Sequence, residues 1–317
     1  MSRYAIITGH GRSGTNWLLS IMNASTLTHC RNEPDGAAGS PLKPLISEAR
    51  LKEDLYDFEK RWDEAAHWTA THMSARDSAI SNAKLHVYTL SQKLGLCRMV
   101  SRPKYRCFLK LLASDLGHGE WKMPWWIGDQ KKLEDAYAIL KINMIADLAP
   151  RLFEDRPDVP ILHIVRHPAG FLNSWRNRYA SNQNESQLLQ TNRDRLKVIV
   201  KKDKPWGVKF GEIDSLGIAE TELWYWRYLT EQIELAGIDR SNYLRIVYES
   251  LAKETIKFAR SVYEFCGLPW TESVESIIQR GTKRTSLIAE SWRETLVAED
   301  KETVKKVLRG SLMEDWW

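Results

Sequence analysis

The sequence of 317 residues contains no long apolar run. A helix that crosses a membrane needs about 20 consecutive apolar residues, and polar or charged residues interrupt every stretch of that length. The first residues also lack the succession of basic, apolar and small residues that is typical of a secretory signal. We therefore expect a cytoplasmic protein that does not have a membrane as a partner.

Cysteine is scarce, and its positions argue against two common frameworks. The four cysteines are Cys30, Cys97, Cys107 and Cys266, and no two of them form a C-x-x-C pair. Disulfide scaffolds and zinc sites use closely spaced cysteines, so we expect reduced thiols and no metal. The formal net charge of +5 suits an anionic ligand, but so small an excess gives no reason to expect nucleic acid as a partner.

Short apolar runs alternate along the chain with segments of helical periodicity. The runs YAIIT (4–8), YAIL (137–140), ILHIV (161–165) and YLRIV (243–247) are typical of buried parallel strands, and RCFLK (106–110) is a further candidate. Alternating strands and helices predict an α/β fold, with a P-loop-like parallel sheet flanked by helices on both faces.

Helical periodicity is clearest over residues 142–152 and 219–236. A further helix is expected from about 251 to 266, because Gly267 and Pro269 follow it as stop signals.

The segment from about 36 to 135 is less regular and contains several prolines. Long irregular segments in enzymes commonly carry binding residues. We expect it to be an insertion that covers the substrate and binds the acceptor, within a single domain that spans residues 1–317.

Chemically active residues come directly after the predicted strands. GHGRSGT follows the first strand, Lys141 the second, Arg166 the third and Tyr248 the fourth. Ligands of open parallel sheets bind at the carboxyl ends of the strands. The sequence therefore predicts a site at this edge of the sheet.

The stretch GHGRSGTNW (9–17) has the character of an anion-binding loop. Its glycines allow a tight turn, and the free amides at the start of the following helix favour an anion. An ATP-binding P-loop reads G-x-x-x-x-G-K-[ST], but here Thr15 stands where the lysine would be. The cation of the loop is Arg12, whose planar guanidinium can bind two oxygens of a phosphate or sulfate without a metal. A turn that only joins strand to helix is the alternative.

Two motifs together resemble the signatures of the sulfotransferases that use 3′-phosphoadenosine 5′-phosphosulfate (PAPS). GRSGTNW (11–17) is similar to the loop that binds the 5′-phosphosulfate, with Gly11 in place of the usual proline and Asn16 in place of a second threonine. IVRHPAGFLNSW (164–175) is similar to the site for the 3′-phosphate, in which a serine lies eight residues after an arginine. The resemblance implies that PAPS is bound by Arg12, Ser13, Gly14, Thr15 and Asn16 on one side and by Arg166 and Ser174 on the other.

Sulfuryl transfer needs cations that neutralise the leaving phosphate. Arg12 is the first candidate. Lys141 is similar to the family lysine that contacts the leaving oxygen, and Lys110 competes with it for this role.

The reaction also needs a base for the acceptor hydroxyl. In the phenol and steroid branch this is a histidine, but here the corresponding position is Asn143, which cannot take a proton. Glu33 and the proline after it resemble the Glu-Pro of carbohydrate-modifying members, with an exposed loop glutamate as the alternative. We interpret His163 and His167 as structural, because the first lies inside a strand and the second replaces the family's usual aspartate.

The remaining contacts are expected around the nucleotide. Trp17 and Tyr248 are candidates for stacking on adenine, with core packing as the alternative for both. Lys283 and Arg284 resemble the basic C-terminal residues that reach the 3′-phosphate in relatives.

The resemblance implies a PAPS-dependent sulfotransferase, without a metal, that modifies a hydroxyl of a small molecule or carbohydrate. The Glu-Pro pair favours a carbohydrate or alkyl alcohol over a phenol. A P-loop kinase or NTPase and a non-catalytic nucleotide-binding protein are the alternatives.

Overall fold

A computed structural model describes residues 4–36, 40–42, 58–74, 120–122, 135–143, 145–179, 184–282 and 285–316. The strands are β1 (Tyr4–Thr8), β2 (Thr28–Asn32), β3 (His72–Ser74), β4 (Glu120–Lys122), β5 (Tyr137–Lys141), β6 (Ile161–Val165) and β7 (Tyr243–Val247). The helices are α1 (Thr15–Met22), α2 (Phe58–Thr71), α3 (Ala149–Asp155), α4 (Pro168–Tyr179), α5 (Glu185–Lys202), α6 (Lys204–Phe210), α7 (Ile218–Gly237), α8 (Tyr248–Lys253), α9 (Thr255–Phe265), α10 (Glu272–Gly281), α11 (Thr285–Glu290), α12 (Trp292–Thr295) and α13 (Ala298–Leu308).

A parallel sheet of five strands forms the centre of the fold. Its order is β2-β5-β1-β6-β7, while β3 and β4 make a separate antiparallel pair. Successive residues of β1 alternate between two cores: Tyr4 and Ile6 belong to one, and Ala5 and Ile7 to the other. Because helices cover both faces, the central strands β1 and β6 are buried along their whole length and are mostly apolar. The predicted α/β architecture is confirmed.

The expected strands agree closely with the observed ones, but two helical predictions need correction. The helix expected over 251–266 is divided into α8 and α9, because Glu254 between them leaves the helical region at φ −126° and ψ 53°. The periodicity over 142–152 becomes helical only from Ala149. The strand candidate at 106–110 and most of the segment 36–135 lie outside the described residues.

The carboxyl ends of all five central strands lie at one edge of the sheet. β1 leads into the glycine loop, β2 into Glu33, β5 ends at Lys141, and β6 and β7 lead into Arg166 and Tyr248. Parallel pairing alone therefore places the predicted site residues at a common edge.

Two further observations concern membrane-spanning helices and cysteines. None of the helices in the described ranges combines the length and apolar character that crossing a membrane requires. Cys30 and Cys266 are buried, and neither forms a disulfide bond with another described residue.

Candidate active site

The loop between β1 and α1 forms a tight backbone turn. Gly9 and Gly14 have φ values of 152° and 98°, and a Cβ on Gly14 would lie 2.4 Å from Cδ2 of Tyr248. Arg12 also takes a positive φ of 74°, a conformation that costs free energy in a residue other than glycine. The loop thus holds Arg12 in an uncommon backbone conformation at the start of a helix.

Arg12 joins the two sequence motifs. Its Nε and Nη2 donate to Oγ of Ser174 at 3.2 and 3.1 Å, across a separation of 162 residues. Arg166 Nη1 donates to the carbonyl oxygen of Arg12 at 3.3 Å. The arginine and serine of the second motif therefore both contact the arginine of the first.

Arg166 is a buried cation that packs on an aromatic ring. Its guanidinium carbon lies 4.4 Å from the ring centroid of Tyr248, and burial lowers the pKa of the guanidinium. The ring of Tyr248 lies edge-on to Trp17 with centroids 5.5 Å apart. The structure thus brings both adenine-stacking candidates to the side of the loop that faces Arg166.

Several polar atoms of this edge are buried and have no hydrogen-bond partner within the described ranges. They include Oγ of Ser13 and Nε of Arg166. Buried donors are normally satisfied, so such atoms call for a ligand that supplies acceptors. The oxygens of a phosphosulfate or phosphate are acceptors of the right kind, and the residues present fit such a group.

Lys141, Glu33 and Asn143 form a second cluster. Nζ of Lys141 donates to Oε1 of Glu33 at 2.7 Å, and Nδ2 of Asn143 donates to the same oxygen at 2.8 Å. The pairing of β2 with β5 causes this meeting, because Asn32 lies opposite Lys141 and the Glu33 amide donates to the Lys141 carbonyl at 2.7 Å. The Lys141 side chain is 1% exposed and that of Glu33 is 51% exposed, so the carboxylate faces outward from a buried ammonium.

The two histidines interpreted as structural have partners away from the loop. His163 Nδ1 lies 2.8 Å from the Tyr243 hydroxyl, and burial lowers the pKa of His163 to about 3. His167 Nε2 lies 2.7 Å from the Trp316 carbonyl oxygen, and burial lowers the pKa of His167 to about 4. Both imidazoles are therefore neutral, and His167 ties the end of the described chain to the turn beside Arg166.

Other site predictions fall outside the described residues. They are Lys110, the alternative to Lys141 as the catalytic lysine, and the two candidates for contact with the 3′-phosphate, Lys283 and Arg284. In the part of the chain that the structure describes, no three or more His, Cys, Asp and Glu side chains form a group that could hold a metal ion.

A cavity of about 700 Å³ adjoins the loop, and sequence reasoning did not identify it. Arg12 and Asn143 contribute to its wall together with residues of α4, α5 and α7. Along α5 the lining residues Gln187, Thr191 and Arg195 recur every four residues, so they lie on one face of the helix. This polar stripe is a signal that the sequence does contain, although the same pattern is typical of a helix face exposed to solvent.

The protein has a P-loop-like α/β fold with arginine, hydroxyl and lysine groups at the carboxyl edge of its parallel sheet, the edge at which ligands of such sheets bind. The sequence model that describes the sulfotransferase family matches residues 5–272. The chain therefore belongs to this family.

Curated relatives match part of the chain. Carbohydrate sulfotransferase 3 of Homo sapiens is 25% identical over 162 residues, which cover 49% of this chain and 30% of that protein. The Mus musculus protein of the same name is 27% identical over 158 residues, with the same two shares. The match thus spans about 30% of the length of these relatives.

Solved structures with a similar course of the chain are also sulfotransferase domains. The domain from the Synechococcus PCC 7002 olefin synthase has a TM-score of 0.44 and 14% identity, covering 95% of this chain and 92% of that one. The domain from the curacin biosynthetic pathway has a TM-score of 0.44 and 11% identity, covering 96% of each chain.

Proposed function

We propose that the protein transfers a sulfuryl group from PAPS to a hydroxyl of a carbohydrate or another small molecule. The observation that carries the proposal is the contact of Arg12 with Ser174. This contact brings the two sequence motifs together. PAPS carries anionic groups at both its 3′ and 5′ positions, so its binding requires both motifs at one site. Family membership supports the reaction, and the names of the curated relatives support a carbohydrate among the acceptors.

The loop and the start of α1 would hold the phosphosulfate end of PAPS. Oγ of Ser13 is buried and unsatisfied within the described ranges, and Thr15 begins the helix whose amides point to the loop. Gly14 allows the turn, Asn16 is exposed beside it, and Arg12 supplies the cation. This set binds a tetrahedral anion from several directions.

The opposite side of Arg12 would hold the nucleotide. Arg166 and Ser174 provide a guanidinium and a hydroxyl for the 3′-phosphate. Trp17 and Tyr248 provide aromatic surface for adenine, and Arg284 is proposed as a further phosphate contact on the resemblance alone. The buried Nε of Arg166, which lacks a partner among the described residues, supports this arrangement.

Glu33 and Lys141 would carry the chemical step. The acceptor oxygen forms a bond to sulfur while its proton passes to the Glu33 carboxylate, and the bond between sulfur and the bridging phosphate oxygen breaks. The products are the sulfated acceptor and 3′-phosphoadenosine 5′-phosphate (PAP). Because an ammonium has three N–H donors, Lys141 can hold Glu33 and still donate to the leaving phosphate oxygen.

The structural surroundings of these residues disfavour the two alternatives. A kinase or NTPase loop needs its lysine at the position of Thr15, which is the first residue of α1 and is buried. A non-catalytic nucleotide-binding protein has no need for a carboxylate 2.7 Å from a buried lysine at the loop.

We also propose that one catalytic domain spans residues 1–317 and that the protein acts in the cytoplasm without a metal. The buried cysteines Cys30 and Cys266, which form no disulfide bond with a described residue, suit a reducing compartment. Fractionation of cells that produce the protein tests its location.

The test of the reaction is incubation with PAPS and a panel of hydroxylated acceptors in the presence of EDTA, with PAP as the measured product. We expect PAP to form at a rate that depends on the acceptor. Magnesium-dependent turnover of ATP without binding of PAPS would overturn the proposal.

A further inference from the structure

The cavity beside the loop opens onto the groups proposed for catalysis. Arg12 and Asn143 line it, and Asn143 donates to Oε1 of Glu33 at 2.8 Å. Its volume of about 700 Å³ lies within the range of small-molecule sites. A molecule in this cavity therefore lies against Asn143, which is hydrogen-bonded to the candidate base.

Most of the described lining residues are polar, and many carry neutral amide groups. Asn184, Gln187 and Asn192 add to Asn143, and among the described lining residues Leu188 is the only aliphatic one. An amide both donates and accepts hydrogen bonds, which suits hydroxyl groups. A phenol or an apolar alcohol would leave these amides without partners at a cost in free energy.

The deepest amide has unused hydrogen-bonding capacity. Asn192 is 2% exposed, and its Oδ1 has no hydrogen-bond partner within the described ranges. Its Nδ2 makes a long contact of 3.5 Å to Oγ1 of Thr221, and the amide also hydrogen-bonds to the carboxyl group of Glu222. A buried acceptor of this kind is satisfied by a ligand hydroxyl.

Aromatic rings form another part of the wall. The rings of Trp175 and Tyr179 lie 5.6 Å apart at an angle of 42°, and Tyr225 lines the same cavity. Aromatic rings beside amides offer both an apolar surface for the faces of a sugar ring and hydrogen bonds for its edge.

The charges inside the cavity balance each other. Nη1 of Arg195 lies 3.6 Å from Oε2 of Glu222, and Nε2 of His10 lies 3.8 Å from Oε1 of the same carboxyl group. The imidazole of His10 is neutral, because burial lowers its pKa to about 4. Apart from Arg12, which belongs to the anion loop, Arg195 is the one cation and Glu222 the one acidic group among the described lining residues. Burial raises the pKa of Glu222 to about 7, so above that pH its charge compensates the charge of Arg195.

We propose that this cavity is the acceptor site and that it selects a neutral, hydroxyl-rich ring, such as an unmodified sugar, through its amides, its aromatic wall and the balanced pair of Arg195 and Glu222. The inference rests on the proposed function and names the acceptor class of that site. It also assigns the acceptor wall to α4, α5 and α7.

The charge balance makes a sharp test possible. Glu222→Gln leaves Arg195 uncompensated, so we expect the preference for a hexuronate over a neutral hexose to rise roughly tenfold, the scale of one unpaired charge in a binding site. Arg195→Gln removes the positive charge and, because Arg195 lowers the pKa of Glu222, leaves a carboxyl group that protonates more readily, so we expect the preference for a hexuronate to fall and not to rise. Glu220→Gln is the matched control, because Glu220 lies on the same helix but pairs with Lys306 at 2.6 Å.

The probes are methyl glucoside, methyl glucuronide, methyl glucosaminide and phenol, titrated into the full chain saturated with PAP and compared as acceptors of PAPS. We expect the unaltered protein to prefer methyl glucoside and the control to match it. If PAP binds and transfer occurs but phenol is preferred, or the Glu222 and Arg195 variants keep the original selectivity, the acceptor inference is wrong while the proposed function stands. If PAP does not bind, both are overturned.

Discussion

Lys141 and Glu33 lie in hydrogen-bond contact although 108 residues separate them, with Nζ 2.7 Å from Oε1. The contact follows from the pairing of β2 with β5, which sets the two chain segments side by side at the carboxyl edge of the sheet. A buried ammonium beside a half-exposed carboxylate supplies a donor for a leaving group and an acceptor for a proton in one place.

The first prediction concerns the base. Glu33→Gln keeps a side-chain oxygen as acceptor for Lys141 but cannot take a proton. We expect the turnover number to fall about 100-fold or more, the usual contribution of a general base, while the affinity for PAP stays unchanged. Initial rates at saturating PAPS and calorimetric titration of PAP measure the two effects.

The control for this variant is Glu64→Gln, at an exposed glutamate of α2 whose Oε1 lies 3.8 Å from Lys60. We expect it to match the unaltered protein. Near-normal turnover of Glu33→Gln would remove Glu33 as the base.

The second prediction concerns the lysine. Lys141→Met fills a position that is 1% exposed with a side chain of similar length but without charge. We expect turnover to fall by about 100-fold to 1,000-fold, as when one donor to a developing oxyanion is removed. Combined with Glu33→Gln, the loss should be much smaller than the product of the single losses, because residues that act as a unit are not additive. Losses that multiply fully would mean that the two groups act separately.

The third prediction concerns recognition of the 3′-phosphate. Arg166→Lys keeps a positive charge but loses the planar fork of donors. We expect PAP to bind roughly 10-fold to 100-fold more weakly, the scale of lost hydrogen bonds to a charged group, and adenosine 5′-monophosphate to bind as before. Equal weakening of both ligands in calorimetry would show that Arg166 does not face the 3′-phosphate.

The fourth prediction concerns the backbone of the loop. Gly14→Ala introduces a Cβ 2.4 Å from Cδ2 of Tyr248 at a φ of 98°, so we expect a loss of about 1–3 kcal/mol in the free energy of unfolding. At Gly11 a Cβ would meet no atom within 4 Å, and Gly11→Ala serves as the control within the same loop. Thermal unfolding without nucleotide compares the two, and equal melting temperatures would contradict the described loop geometry.

The fifth prediction concerns pH. Burial raises the pKa of Glu222 from 4.5 to about 7. Between these values the folded protein binds more protons at Glu222 than the unfolded chain does, so this group lowers the free energy of unfolding as pH rises through the window. Glu222→Gln removes that effect, and we expect its stability relative to the unaltered protein to rise by about 2 kcal/mol from pH 5 to pH 8.

Denaturant unfolding of both proteins at the two pH values measures this difference. The subtraction also cancels most of the contribution of His10, whose pKa is lowered to about 4 and whose slope with pH is opposite. A relative stability that does not change with pH would contradict the burial of an ionisable Glu222.

The sequence predicts the strands best where the sheet buries both of their faces. β1 and β6 are buried throughout and mostly apolar because both faces of the sheet are covered, and their bounds agree with the predicted runs. β2 was not predicted because it is an edge strand paired only with β5 in the described sheet, and its residues THCRN are mostly polar. Arg31 is 2% exposed in this strand and packs 4.6 Å from the ring of Trp68, a contact that strand patterning does not reveal.

The features of the site can likewise be divided into those that the sequence predicts and those that depend on packing. The contact of Arg12 with Ser174 could be anticipated, because each residue belongs to a motif and both follow strands of one sheet. The cavity could not, since its wall depends on how α4, α5 and α7 pack together, and Arg195 and Glu222 acquire their relationship only through that packing.

The most direct test of the central claim is a single-turnover reaction with PAPS that carries a radioactive sulfur atom, with EDTA and a sugar acceptor present. We predict that the label appears on the acceptor together with one equivalent of PAP, and that Glu33→Gln binds PAPS but slows this transfer. PAP formed without a labelled acceptor, or no binding of PAPS at all, would contradict the account.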